Sequence, residues 1–95
     1  MNKSEFDIDR AKSLVEEISA NLADLPQDSA KYAQLRSEVE DLKRMLAGAD
    51  VQFPQVEDRM KSVHGLFDRA AVELRADGVR VGMFLSEIGR MLGLD

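Results

Sequence analysis

Apolar residues fall three and four positions apart along almost the whole of this 95-residue chain, and that rhythm is the signature of amphipathic helix. The first stripe is Ile8, Ala11, Val15, Ile18, Leu22 and Leu25. Ser4 or Asp7 suits its N-cap, and Leu25-Pro26 ends it, because proline disfavours a helical residue before it. A second stripe, Tyr32, Leu35, Val39, Leu42 and Leu46, follows a cap at Asp28 or Ser29 and does not keep the phase of the first. That slip predicts two helices rather than one. Glu40 and Arg44 stand four apart on its outer face, the spacing of a helical ion pair.

The stretch AGADVQFPQ reads as a linker, with Gly48 closing one helix and Pro54 opening the next. A third stripe runs through Val56, Met60, Val63, Phe67, Ala70 and Leu74, and the same rhythm continues to Val81, Phe84, Ile88 and Met91. One unbroken helix of about forty residues, roughly 57 Å at 1.5 Å per residue, would find no intrachain partner of equal length. Asp77-Gly78 is a natural place to break it. The expected fold class is therefore all-α, a small antiparallel helical bundle. It has four helices near 5–24, 28–47, 54–77 and 79–92, or three if the last is one long kinked helix. Residues 1–95 are read as a single helical domain with its main linker at 48–53.

Composition narrows the chemistry. Hydrophobic residues at 44% beside charged residues at 33% suit a folded chain. Five aromatics with no tryptophan argue against a stacking platform for single-stranded nucleic acid. The formal net charge of −5 opposes attraction to phosphate backbones and anionic lipid, so no nucleic-acid partner is expected and a membrane surface is disfavoured. The acidity is concentrated in residues 1–50, with seven basic and eleven acidic groups, against six and seven in residues 51–95. Without cysteine there is no disulfide, thiolate nucleophile or Cys-ligated zinc. The acidic N-terminus lacks the apolar core of an export signal, and no apolar run is long enough for a transmembrane segment. The expected location is cytoplasmic.

No pattern for catalysis emerges. His64 is the lone histidine, and Asp68 four residues on is its natural helical neighbour. A di-iron bundle needs Glu three positions before its histidine, and this chain has Lys61 there. Glu38, Glu40 and Asp41 read as a solvated face, and no phosphate loop or nucleophile elbow is present. The expectation is a non-enzyme without cofactor or metal.

The segment GVRVGMFLSEIGRMLG, residues 78–93, is the most unusual. On a helical wheel Val81, Phe84, Leu85, Ile88, Met91 and Leu92 form an apolar face. Gly78, Gly82, Ser86, Gly89 and Gly93 form a second strip to one side. Small residues in a row let helix backbones approach closely, which offsets the propensity lost at each glycine. The competing reading is that some of them are helix ends, Gly78 and Gly93 above all. Residues 85–95, LSEIGRMLGLD, resemble the first helix and turn of a helix-turn-helix, which implies DNA binding; no recognition helix follows here, and the acidic charge opposes it. An amphipathic helix closed by Gly93, with Leu94 folding back, is the simpler expectation.

Phe53 and Met83 are candidate exposed apolar residues, and Phe6 and Tyr32 candidate core anchors. Because one bundle interior needs only one of the two strips, the sequence points to a protein–protein interaction module. It would self-associate or dock on another helical partner through Gly82, Met83, Phe84, Leu85, Ser86 and Gly89. The alternative is a membrane-surface adaptor that lays the amphipathic helix 79–92 in a lipid interface.

Overall fold

A computed structural model describes residues 8–25, 30–48 and 51–93. They form five α-helices: α1 (Ile8–Ala23), α2 (Ala33–Ala47), α3 (Phe53–Arg69), α4 (Ala71–Ala76) and α5 (Val81–Leu92). A 3₁₀ turn, Ala30–Tyr32, leads into α2, and no strand occurs among the described residues. The candidate caps Ser4, Asp7, Asp28 and Ser29, together with Phe6 and Leu94, lie outside the described residues.

The apolar stripes converge on one core. Val15, Ile18 and Leu22 of α1 meet Val39, Leu42 and Leu46 of α2, Val56, Met60, Val63 and Phe67 of α3, and Phe84 and Ile88 of α5, all essentially without solvent exposure. Leu14 and Val79 join them, although neither belongs to the stripes read from the sequence. α1 packs on α2, α2 on α3 and α3 on α5, and a lighter contact of α5 with α1 closes the ring. The result is an all-α bundle with a Cα radius of gyration of 13.0 Å, near the roughly 12 Å expected for a compact chain of this length.

Helix ends differ from expectation in instructive ways. The α-helical geometry of the second helix begins at Ala33, not 28, because residues 30–32 take the tighter 3₁₀ form. Gly48 occupies the C-cap of α2 in an extended conformation (φ −71°, ψ 159°), not the left-handed one that favours glycine. Pro54 lies in the first turn of α3, where its missing N–H costs nothing. The helix expected over 54–77 is interrupted at Ala70, whose φ of −107° and ψ of 19° separate α3 from α4. Neither proline nor glycine marks this interruption, and the apolar rhythm passes through it unbroken.

The break at Asp77-Gly78 is sharp. Gly78 has φ +94°, the Gly78 N–H donates to the Arg75 carbonyl at 3.1 Å, and the Val79 N–H donates to the Leu74 carbonyl at 2.9 Å. This pair of reversed bonds is a Schellman motif, and the burial of both Leu74 and Val79 completes it with its usual apolar contact. One long helix through residues 54–92 is thereby excluded, and α5 folds back as a separate rod.

Candidate functional site

What α5 presents depends on how it is seated. Its inner face is the most strongly buried part. Phe84 is fully covered and stacks obliquely on Phe67, with ring centroids 5.7 Å apart at 48°. The Arg80 guanidinium lies 5.6 Å from the Phe84 ring centre, at the start of the helix. Leu85, Met91 and Leu92 are partly covered and pack against the same core.

Polar contacts fix the start of α5. Asn21 of α1 uses both ends of its amide on the turn before α5: its Oδ1 accepts from the Arg80 backbone N–H at 3.1 Å, and its Nδ2 donates to the Gly78 carbonyl at 3.4 Å. Tyr32 is buried, and its hydroxyl donates to Asp77 Oδ2 at 2.6 Å. Burial first, then the bond to Asp77 and the negative charge of Asp77 and Glu73, pushes the Tyr32 hydroxyl from its ordinary 10.0 up to about 12. Further along, Arg10 of α1 pairs with Glu87 of α5, and Arg90 donates to the other Glu87 oxygen at 3.1 Å. The hydrogen bond from Arg10 is the main reason the Glu87 carboxyl is held below its ordinary range.

The six residues expected to form a contact surface separate into two groups. Gly82, Met83 and Ser86 are exposed. A methyl group at Gly82 would meet nothing within 4 Å, Met83 keeps 38% of its surface, and the Ser86 hydroxyl accepts from Arg90 at 3.3 Å. Phe84 and Gly89 are buried, and Leu85 is half-buried against the core. The small-residue strip is thus not one surface. Gly78 and Gly93 (φ +71°) are left-handed helix ends, and Gly89 lies on the side of the strip nearest Leu85. What is open is the line Gly82, Met83 and Ser86, beside a notch of about 210 Å³ whose lining includes Leu14, Glu17, Met83 and Glu87.

Elsewhere several charged side chains of the surface pair with one another. Between α2 and α3, Arg59 approaches Glu38 at 3.4 Å and Asp41 at 3.8 Å above an open depression of about 500 Å³. Arg44 pairs with Asp41 rather than with Glu40, and Glu40 lies 3.8 Å from Lys43. The expected Glu40–Arg44 pair gives way because the three-residue spacing satisfies both cations. His64 is half-buried on α3, and among the described residues no hydrogen bond or ion pair joins it to Asp68. No group of three His, Asp or Glu side chains that could hold a metal occurs among the described residues. Among the described residues no helix is long and apolar enough to cross a membrane.

Two exposed apolar residues besides Met83 stand out. Phe53 is 44% exposed at the start of α3, and Val72 is 78% exposed on α4. Val72 lies two positions from both Ala70 and Leu74, which places it opposite the buried stripe. The Asn21 and Tyr32 contacts escaped the sequence reading: their partners lie 45 to 59 residues away, with no local pattern to announce them. Compared with known proteins, the chain matches no family model, no curated sequence and no solved structure.

Proposed function

We propose that this chain is a non-enzymatic protein–protein interaction module that self-associates through the outward face of α5. The observation that supports this reading is the division of α5 into two faces. Phe84 and Ile88 are committed to the bundle interior, while Gly82, Met83 and Ser86 are exposed. Gly82 brings no side chain to that face, so a second helix approaching there meets backbone, with the flexible Met83 thioether beside it as an adaptable contact.

The membrane-surface alternative loses support. It needs Phe84 and Ile88 in lipid, and both are buried in the core, where α5 packs on α3 and α1. Laying that face in a bilayer means opening the core.

Gly82→Leu tests the proposal because folding and association respond in opposite directions. Inside the chain the added Cβ meets nothing within 4 Å, and removing a first-turn glycine raises helix stability by up to about 0.5 kcal/mol. Across an interface the same side chain holds the second backbone away. Sedimentation over a concentration series is expected to show wild-type association that the variant lacks, while the variant melts no lower than wild type. A wild-type mass fixed at the 10.6 kDa of one chain overturns self-association, and equal association of both proteins overturns the choice of face.

A further inference from the structure

We draw no further inference here: the strongest candidate, the notch between α1 and α5 beside Leu14 and Met83, belongs to the surface already proposed, and nothing in the structure shows what covers it.

Discussion

The two sides of α5 are held by different physics. Toward α3 the contact is apolar, with Phe84 against Phe67. Toward α1 the contact is lighter and adds polar ties, Asn21 to the turn at 78–80 and Arg10 to Glu87. Apolar burial is worth about 25 cal/mol per Å² and is indifferent to direction, so it supplies most of the holding energy. Hydrogen bonds to a turn contribute about 1 kcal/mol each but demand one geometry. The apolar side therefore keeps α5 attached, and the polar ties set where its exposed line points.

That contrast can be broken most forcefully at its apolar end. Phe84→Ala removes a fully buried ring and is expected to cost about 3–5 kcal/mol. Met83→Ala, one residue away on the other face, is expected to stay within about 0.5 kcal/mol. Urea unfolding of the two variants gives the ratio directly, and similar losses would mean that the two faces are not energetically distinct.

A smaller effect is expected at the turn. Gly78→Ala places a Cβ in a left-handed conformation with no neighbour within 4 Å, so the penalty is conformational alone, about 1–2 kcal/mol. Thermal unfolding checks it. A neutral outcome would mean that the Schellman turn rearranges without loss.

The polar side is sharpened by pH. Folding raises the Tyr32 pKa from 10.0 to about 12, so the folded state favours the protonated phenol. Its stabilising contribution is complete below pH 10 and is lost as the pH rises through about 12. Wild-type protein is therefore expected to lose stability across this window more steeply than Tyr32→Phe. At neutral pH that variant should be weaker by about 1 kcal/mol, the value of one hydrogen bond. Chemical denaturation at a series of alkaline pH values reads both effects. Parallel pH profiles would show that burial and the bond to Asp77 do not hold the phenol protonated in the folded state.

How much of this was legible beforehand follows from the range of each interaction. The stripes were legible because burial repeats with the helical period, and Val15, Val39, Val63 and Phe84 lie in the core where that period places them. The break at Gly78 was legible because a left-handed residue favours glycine. The interruption at Ala70 was not, since alanine is an excellent helix former and carries no local mark. The glycine strip was only half legible. Wheel geometry grouped Gly82 with Gly89, but burial depends on which neighbour lies beyond each of them, and a wheel drawn for one helix contains no neighbours. The clamp by Asn21 had no local trace at all, being a contact between residues brought together only by the closing of the bundle.

The most direct test of the outward face uses the methionine methyl groups as paired reporters. Met83 lies on that face, and Met60 is 1% exposed inside the core. In protein labelled at the methionine methyls, nuclear magnetic resonance spectra recorded over a concentration series should show the Met83 signal moving as association proceeds while the Met60 signal stays in place. A Met83 signal that stays fixed while the mass of the particle doubles would contradict the account, because the copies would then be meeting somewhere else.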